Sequence, residues 1–387
     1  MRAKAKRDTV HRLDDARRLV VKVGSTLLAD EVRGAIRSKW LGALAEDVAA
    51  LKKLGREVVL VSSGAIAVGR QHLGLKGGAL KLEEKQAAAA TGQIKLAHAY
   101  LEALAKRGIS VAQVLLTFED TGAHGMGKEE RRRYLNARNT IDTLLRLGAV
   151  PVINENDTVA TNEIRFGDND RLAARVAAMI SADVLVLLSS IDGLYTGNPS
   201  RDPSASLIRE VREITPRIAA MAEDARPGYT SGGMVTKLEA AKIALAAGCR
   251  MVITDGTALH PLKRIEDGAP CTWFLPSATP RTARKRWIAG TLGPAGAITV
   301  DDGALGALKN GKSLLPAGVI AAEGDFQRGD AVIVKGPDGR EVARGLTAYS
   351  VADARRIMGH KSREIQELLG YRGRDEMIHR DDLVMLN

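Results

Sequence analysis

Two lysines occupy positions where the local structure makes a positive charge costly. Lys22 lies inside the apolar run Leu19–Val23, and Lys237 lies in the first turn of a helix predicted to start at Met234. A lysine in a buried strand is unfavourable unless it faces a cleft or an anion. A cation near a helix N-terminus opposes the helix dipole unless an anion is bound there. Both positions therefore predict contact with an anionic ligand.

The segment Ser231–Lys237, with the sequence SGGMVTK, is the stronger of two phosphate-binding candidates. Its two glycines allow close backbone approach, and the helix behind them directs N–H groups and partial positive charge toward a ligand. A plain loop before a helix would explain the glycines. It would not explain Lys237.

The other candidate runs from Gly306 to Ser313 and matches the pattern G-x-x-x-x-G-K-[ST]. That motif works only when a strand precedes the first glycine and a helix begins at the Lys-Ser pair. Here residues 304–310 are predicted to be helical, and Pro316 disfavours a helix directly after the match. We therefore interpret this match as a coincidence.

Acidic and amide side chains are concentrated between the two lysines. They form two groups, Asn154-Glu155-Asn156-Asp157 and Asp168-Asn169-Asp170. Such a concentration fits a metal site, a calcium loop or an amine-binding pocket, although the spacing of an EF-hand is absent. Helix capping explains any single residue of the second group equally well.

The elements that must position these residues repeat one unit from residue 18 to about 256. In each repeat a helical stretch ends at a glycine and a short apolar run follows, as at Gly55, Gly108, Gly148 and Gly248. Helices commonly end on a left-handed residue, which glycine adopts without strain. The predicted strands are 19–23, 57–61, 109–116, 150–153, 184–188 and 251–253. Near-continuous apolar strands between helices predict a doubly wound, mostly parallel α/β sheet.

The residues directly after these strands are small or polar. They are Gly24-Ser25, Ser62-Ser63-Gly64, Asn154–Asp157, Ser189-Ser190 and Thr254-Asp255-Gly256. Polar loops and helix caps explain part of this pattern. Because ligands of such sheets bind outside the carboxyl ends of the strands, we predict a ligand site at this edge.

Beyond about residue 290 the pattern changes to short strands separated by turns. The runs 297–300, 331–334 and 341–343 are apolar, and Gly336-Pro337-Asp338-Gly339 is typical of a hairpin loop. A small, β-rich C-terminal domain is therefore predicted. Residues 276–294 contain three prolines and a basic cluster, as interdomain linkers often do.

Composition and charge limit the class of protein. The chain has 387 residues, 45% of them hydrophobic, which suits a two-domain globular protein. Two cysteines are too few for a disulfide framework, and no apolar run suits a signal peptide or a membrane span, so we expect a cytoplasmic protein without a membrane partner.

The formal net charge of +11 is concentrated at two places. Residues 1–18 contain seven basic and three acidic residues, and Arg281, Arg284, Lys285 and Arg286 form a second cluster. A solvated tail and an interdomain hinge explain these clusters better than a nucleic-acid surface does. A nucleic-acid partner is therefore not expected, whereas an anionic substrate benefits from the positive field.

The order of the motifs resembles that of the glutamate 5-kinases, in the amino acid kinase superfamily. The matching segments are VVKVGS at 20–25, SSGAI at 62–66, LNAR at 135–138, PVINEND at 151–157, GDND at 167–170, GLYT at 193–196 and GGMVTK at 232–237. The C-terminal part resembles the PUA domain, a pseudo-barrel otherwise found in RNA-modifying enzymes. The resemblance implies a basic tail at 1–17, a catalytic domain at 18–287, a linker at 288–295, a PUA domain at 296–375 and a C-terminal tail at 376–387.

The resemblance implies ATP-dependent phosphorylation of the γ-carboxylate of L-glutamate, the first step of proline biosynthesis. Lys22 and Lys237 would flank the transferred phosphoryl group, with Asp170 holding both lysines. Ser63, Asp157 and Asn169 would bind glutamate. Mg²⁺ would be held mainly by the nucleotide phosphates, without a dedicated protein metal site. The implied ATP contacts are Lys22, Gly24, Ser189, Ser190, Ser231, Gly232, Gly233, Met234, Val235, Thr236 and Lys237.

The resemblance also implies regulation and assembly. Proline is the expected feedback inhibitor, and a homo-oligomer, dimer or tetramer, is the expected assembly. The chain departs from the family at Ser190, where aspartate is usual, and at Gly122–Lys128, which is longer than usual in the region tied to feedback.

There are two alternative functions. One shares the chemistry of this function, and the other belongs to a different class. The first is another superfamily kinase, acting on aspartate, acetylglutamate or carbamate. The second is an RNA-binding protein built on the C-terminal domain, which is disfavoured because only Phe326, Tyr349 and Tyr371 supply aromatic rings for base stacking there.

Overall fold

The predicted alternation of helices and strands is present in the computed structural model, which describes residues 13, 15–30, 34–75, 78–122, 127–159, 168–199, 201–223, 233–290 and 293–386. The chain divides into two units. The first contains residues 1–123 and 137–280, and the second contains residues 124–136 and 281–387. Each described unit has its own cluster of buried hydrophobic side chains.

The elements of the first unit follow the predicted order, with short additions. Its strands are β1 (Arg18–Val23), β2 (Glu57–Val61), β3 (Val111–Leu116), β4 (Val150–Glu155), β5 (Val184–Ser189), β6 (Leu194–Tyr195), β7 (Leu207–Ile208), β8 (Glu210–Val211), β9 (Arg250–Asp255) and β10 (Cys271–Phe274). The helices up to this point are α1 (Ser25–Leu28), α2 (Ser38–Lys53), α3 (Ala65–His72), α4 (Leu82–Ala105), α5 (Lys128–Arg146), α6 (Asp168–Met179), α7 (Pro216–Glu223), α8 (Met234–Ala246) and α9 (Pro261–Glu266).

An eight-stranded sheet forms the centre of the first unit, in the order β3-β4-β2-β1-β5-β9-β10-β8. Neighbouring strands from β3 to β9 run parallel, and β10 pairs antiparallel with β9. The doubly wound, mostly parallel architecture is confirmed. Strand β10 was not predicted, because its four residues, CTWF, follow a short helix and do not fit the repeat of a longer helix, a glycine and an apolar strand.

The glycines predicted to end helices have the left-handed conformation that this role requires. The φ angles are 75° at Gly55, 69° at Gly108, 80° at Gly148 and 73° at Gly248. Each of these residues lies between a helix and the strand that follows it. The prediction that helices end at these glycines is confirmed. Glycine suits these positions because a residue with a side chain would be strained at positive φ.

The register of the central strands brings the predicted ligand residues to one edge. Lys22 pairs with Val61 of β2 and with Leu187 of β5. Ser189 pairs with Asp255 of β9. Parallel strands in this register end together, so the residues after β1, β2, β5 and β9 share the carboxyl edge of the sheet.

Part of the segment assigned to a basic tail packs on the first unit. Leu13 and Ala16 are fully buried, and Asp15 accepts hydrogen bonds from the guanidinium of Arg250. The Leu13 backbone N–H donates to the carboxylate of Glu266. Residues 13 and 15–17 are therefore anchored by burial and an ion pair, whereas residues 1–12 and 14 lie outside the described part.

Helices α3 and α4 cross with their backbones in contact. A Cβ added to Gly69 would lie 1.7 Å from the carbonyl oxygen of Ala88, and one added to Gly92 would lie 1.8 Å from that of Ala65. No side chain fits at either position. The two glycines therefore fix the position of α4 against the loop that follows β2.

The second unit is built on a five-stranded sheet in the order β12-β11-β13-β14-β15. Its strands are β11 (Gly296–Val300), β12 (Val319–Gly324), β13 (Ala331–Lys335), β14 (Glu341–Leu346) and β15 (Leu383–Met385). The helices that follow α9 in the chain are α10 (Pro280–Gly290), α11 (Asp302–Lys309), α12 (Val351–Ile357) and α13 (Ile365–Leu369). The predicted hairpin at 336–339 joins the antiparallel strands β13 and β14.

The Walker-like match at 306–313 has no phosphate-loop geometry. Gly306 lies inside α11, and Gly311 follows that helix with a φ angle of 71°. Leu314 then forms a β-bridge with Ile378, so no helix begins at Lys312-Ser313. The interpretation as a coincidence is confirmed.

Two segments beyond residue 275 differ from the interdomain linker and the C-terminal tail that the sequence predicts. Residues 276–294 include helix α10, and Arg284 of the presumed hinge cluster is buried, with its guanidinium nitrogens 2.6 and 3.2 Å from Asp382 Oδ1. Residues 376–387 do not form a tail where they are described, because Met377 and Ile378 are fully buried and β15 pairs with β14. Their apolar side chains complete the core of the sheet.

Candidate active site

Lys22 and Lys237 meet at one carboxylate. Lys22 Nζ lies 2.7 Å from Asp170 Oδ1, and Lys237 Nζ lies 3.1 Å from Asp170 Oδ2. All three side chains are buried, with exposed fractions of 6%, 4% and 1% for Lys22, Lys237 and Asp170. The structure thus brings together the three residues expected to be catalytic, from three separate elements.

Each of the three side chains is placed by the start or end of an element. Lys22 is the penultimate residue of β1, Asp170 lies in the first turn of α6, and Lys237 lies in the first turn of α8. Gly233 caps α8 in an extended conformation and contributes no capping side chain. Thr236 Oγ1 lies 2.8 Å from the Gly233 carbonyl oxygen and 3.4 Å from Asp170 Oδ2.

Electrostatics keep Asp170 ionised in a buried position. Burial by itself raises the pKa of its carboxyl group, but the charges and hydrogen bonds of Lys22 and Lys237 more than offset this, so the pKa lies below its ordinary value. Two cations and one anion leave a net positive charge. The arrangement can therefore attract and hold a phosphoryl group.

A second cluster joins the loop after β2 to the start of α6. Asn169 Nδ2 donates to Ser63 Oγ at 2.9 Å and to the Ser62 carbonyl oxygen at 3.3 Å. It also lies 3.5 Å from Asn154 Oδ1. Asn169 Oδ1 is buried, and no donor among the described residues reaches it. A buried acceptor in this state is suited to an N–H group of a ligand.

Asp157 follows β4 at the same edge of the sheet. It is buried, and this burial raises the pKa of its carboxyl group to about 6. Its side chain helps to line a cavity of about 260 Å³ together with Gln93, Ile94, Asn156 and Thr158. A carboxylate in such a cavity can bind an ammonium group, since burial strengthens the attraction between opposite charges.

The residues expected to contact ATP fall on the other side of the two lysines. A Cβ on Gly24 would lie 3.4 Å from the Leu188 carbonyl oxygen, so the chain passes close to the end of β5. The carbonyl oxygen of Ser189 accepts from the Gly256 N–H at 2.8 Å, and Ser190 is exposed. Gly233 and Val235 are exposed at the start of α8, and Met234 is largely buried. Ser231 and Gly232 lie outside the described residues.

No binding or catalytic role was predicted from the sequence for Asn154, Ser62 or Gln93. Asn154 was noted in its cluster, but its contact with Asn169 depends on how α6 packs against β4. Gln93 is buried in α4 among Ala88, Ala89 and Leu96, so a glutamine in an otherwise small and apolar face was the available signal. The pairing of Ser62 with Asn169 uses a backbone oxygen, which no side-chain pattern reveals.

Protein ligands for a metal ion are not gathered at this site. Within the ranges that the structure describes, no three His, Cys, Asp or Glu side chains are grouped as a metal site. Both oxygens of Asp170 face lysine ammonium groups. No helix in the described ranges is long and apolar enough to cross a membrane.

Comparison with known proteins identifies the family. Residues 17–255 match the amino acid kinase family, and residues 296–369 match the PUA domain. The glutamate 5-kinase of Paramagnetospirillum magneticum is 63% identical over 370 residues, which cover 96% of this chain and 98% of the relative. The chain belongs to the glutamate 5-kinase family.

Other members of the glutamate 5-kinase family are similar over nearly the same length. The enzyme of Rhodopseudomonas palustris strain BisB5 is 60% identical over 97% of this chain and 98% of its own. The enzyme of Agrobacterium fabrum is 61% identical over 95% of this chain and 92% of its own. The relatives therefore include both the α/β unit and the PUA unit.

Proposed function

We propose that this protein transfers the γ-phosphoryl group of ATP to the γ-carboxylate of L-glutamate and forms L-glutamyl 5-phosphate. The observation that carries this proposal is the convergence of Lys22 and Lys237 on Asp170 at the carboxyl edge of the sheet. The near full-length similarity to glutamate 5-kinases supports glutamate as the acceptor.

The reaction needs alignment and charge neutralisation more than acid–base chemistry. An oxygen of the γ-carboxylate, which is ionised at neutral pH, attacks the γ-phosphorus. The bond from this phosphorus to the bridging oxygen breaks, and its electron pair leaves with ADP. No proton has to be removed from the nucleophile, so positioning and electrostatic stabilisation account for the catalysis.

Lys22 and Lys237 are assigned to the phosphoryl group, and Asp170 is assigned to positioning them. The carboxylate holds the two ammonium groups in place before substrate binds. Negative charge that develops on the transferred oxygens is then met by cations that need little reorganisation. ATP enters with Mg²⁺ on its phosphates, as a substrate complex.

Ser63, Asn169 and Asp157 are assigned to glutamate. The carbonyl Oδ1 of Asn169 is available to accept an N–H of the substrate ammonium group. The Asp157 carboxylate supplies the opposite charge, and the Ser63 hydroxyl, already bonded to Asn169, is suited to a substrate carboxylate. These roles place donors and acceptors on both ends of a small amino acid.

Gly24, Ser189, Ser190 and the segment 231–237 are assigned to ATP. Helix α8 is 13 residues long and begins beside Lys237 without a side-chain cap, so its first N–H groups and its dipole can face the phosphates. Ser190 is exposed and supplies a hydroxyl to the nucleotide side of the site.

Trapping of the acyl phosphate tests the proposed reaction. Purified protein is incubated with glutamate, ATP, Mg²⁺ and hydroxylamine, and γ-glutamyl hydroxamate is measured. Aspartate, acetylglutamate and carbamate are tested side by side as acceptors, and hydroxamate or ADP should form fastest with glutamate. Folded, ATP-binding protein that forms no γ-glutamyl hydroxamate would contradict the proposal.

The cellular role follows from the proposed product. Glutamyl phosphate formation is the first committed step toward proline, so we place the enzyme in proline biosynthesis in the cytoplasm, with proline as feedback inhibitor and a homo-oligomer as the working form. Titration of the activity with proline tests the regulation. Light scattering at catalytic concentrations tests the assembly, for which dimer and tetramer are the expected masses.

A further inference from the structure

Gln93 is a buried polar residue that the proposed reaction does not use. It lies in α4, and its Nε2 donates to the carbonyl oxygen of Glu155 at 3.2 Å. The two residues are 62 positions apart, so the bond joins a helix to the end of a strand. Gln93 is buried, with 8% of its surface exposed, whereas Glu155 is only partly buried. Removing the donor takes this bond from the carbonyl oxygen, which costs free energy in a place that water reaches only in part.

The Glu155 carbonyl lies at the end of β4, directly before the turn Asn156–Val159 that contains Asp157. On the other side of the same residue, the Glu155 N–H donates to Asn154 Oδ1 at 2.9 Å. The next residue donates its N–H to the Leu116 carbonyl oxygen, and Val159 N–H closes the turn on the Asn156 carbonyl oxygen. The Gln93 bond therefore connects α4 to the end of β4, next to a turn that is also bonded to β3 and closed on itself.

The position of Gln93 is set by the residue before it. Gly92 lies against the backbone of Ala65, the first residue of α3. That helix starts directly after Ser63-Gly64. This backbone contact fixes the distance from the loop at Ser63 to α4. Through its hydrogen bond to Glu155, Gln93 links that distance to the position of the turn that contains Asp157.

We propose that Gln93 is a positioning residue for the amino-acid substrate, holding the end of β4 and the Asn156–Val159 turn so that the Asp157 carboxylate faces the substrate ammonium group. This inference rests on the proposed glutamate kinase function and goes beyond it, because Gln93 acts through the turn and not by contact with the substrate. Its effect is therefore specific to glutamate and leaves the ATP side of the site unchanged.

Replacement of Gln93 by leucine tests the proposal. Lys95 is the matched control, because it lies two residues further along α4, is exposed and is not one of the residues that line the cavity. We expect Gln93→Leu to raise the KM for glutamate about tenfold, the scale for losing one buried hydrogen bond. The KM for ATP should change less than about twofold, and Lys95→Leu should change neither constant by more than that.

The variant Gln93→Glu tests the proposal through the pH dependence of its KM for the substrate glutamate. A residue with only a structural role would not give this pH dependence. An ionised carboxylate cannot donate to the Glu155 carbonyl, whereas a protonated one can. The KM for glutamate of Gln93→Glu, relative to wild type, should therefore fall as the pH is lowered from 8 toward 6. The same ratio for Gln93→Leu should stay constant. Gln93→Glu is nearly isosteric and serves as the test if Gln93→Leu does not fold.

Amide hydrogen exchange tests the bond without relying on activity. Exchange at Asn156 and Val159 should be about tenfold faster in Gln93→Leu than in wild type and unchanged in Lys95→Leu. If wild-type protein forms no hydroxamate, the proposed function fails while the exchange rates still report on the Gln93 bond. An active wild type with unchanged glutamate KM and exchange rates in Gln93→Leu would overturn the inference, as would an equal rise in both KM values.

Discussion

Asp170 serves two cations with one carboxylate, and each of its oxygens faces a different lysine. Lys22 and Lys237 would repel each other in the absence of this charge, and both are buried. Removing one partner of a buried ion pair commonly costs about 3–5 kcal/mol, because the remaining charge stays desolvated. Asp170 is therefore a counter-charge that both buried lysines share.

We expect Asp170→Asn to lower the free energy of unfolding by about 3 kcal/mol or more, since two ammonium groups would then share a neutral amide. Urea unfolding at pH 7.5 measures the change. The double variant Asp170→Asn with Lys237→Met should recover part of the loss, because one of the two positive charges that Asp170 neutralises is removed. Equal stability of Asp170→Asn and wild type would contradict the description of this cluster.

Lys237→Ala should lower kcat by at least about 10²-fold, the scale for losing a charge that stabilises the transition state. Steady-state hydroxamate formation measures kcat. Lys242→Ala is the control, because Lys242 lies in the same helix but is exposed and paired with Glu239. A Lys237→Ala enzyme with near-normal turnover would remove Lys237 from the catalytic group.

The pKa of Asp157 predicts how kcat/KM for glutamate depends on pH. Its pKa of about 6, raised by burial, lies above the ordinary value, so the carboxylate loses its charge as the pH falls through 6. We expect kcat/KM for glutamate to fall about tenfold between pH 7 and pH 5 as this group protonates. Asp157→Asn should have a low kcat/KM that varies much less over this range.

The same raised pKa affects stability with the opposite sign. The folded state binds a proton on Asp157 at a higher pH than the unfolded chain does, so this group contributes more stability as the pH falls from about 7 toward 4. A loss of activity below pH 6 that came from unfolding would therefore not be explained by Asp157. Circular dichroism at each pH distinguishes the two causes.

Among the elements, the crossing of α3 and α4 tolerates the least change. We expect Gly69→Ala to lower the free energy of unfolding by about 3 kcal/mol or more, because the new methyl group would overlap the Ala88 carbonyl and force the helices apart. Thermal and urea unfolding measure the effect.

Gly42→Ala is the matched control for this helix crossing. Gly42 lies inside α2, and an added Cβ meets nothing within 4 Å. Alanine there should raise the free energy of unfolding by about 0.5–1 kcal/mol, since glycine is a poor helix former. If both alanine variants behaved alike, the backbone contact between α3 and α4 would not limit the packing.

The elements of the first unit were largely predictable because their signals are local. Apolar strands, glycine helix ends and polar strand ends each depend on a few adjacent residues. Strand β10 and helix α10 were missed for the same reason: a four-residue strand has little periodicity, and the prolines and basic residues of 276–294 favoured a linker. The buried pairing of Arg284 with Asp382 joins residues 98 positions apart and leaves no local pattern.

The candidate site was predictable as a set of residues and not as a geometry. Lys22 and Lys237 were conspicuous because their charges conflict with their elements, and resemblance to a family added Asp170. The contacts of Asn169 with Ser62 and Asn154, and of Gln93 with Glu155, arise from packing between distant elements. Such contacts are set by tertiary structure, which a single sequence does not display.

At the scale of the whole molecule, the two units have separate cores, and every described site residue belongs to the first. We expect Arg284→Ala to destabilise the second unit by about 3 kcal/mol, because it leaves the buried Asp382 without this counter-charge. The fluorescence of Trp287, which lies beside Arg284, reports this unfolding. The kcat at 25 °C should stay within about twofold of wild type.

Arg340→Ala is the control for this pair in the second unit. Arg340 and Asp338 form an exposed ion pair in the hairpin loop, and such pairs contribute little to stability. The change in unfolding free energy should stay below about 1 kcal/mol. A larger loss for Arg340→Ala than for Arg284→Ala would contradict the importance of burial in this unit.

The double ion pair of Asp170 also has a consequence for the order of events during synthesis. Lys22 and Asp170 leave the ribosome first, and Lys237 follows 67 positions after Asp170, a delay of about 3 to 13 s at ordinary translation rates. During that interval the carboxylate has only one of its two cations. The growing chain therefore completes the charged cluster around Asp170 only when α8 arrives, after six of the eight strands of the central sheet have been made.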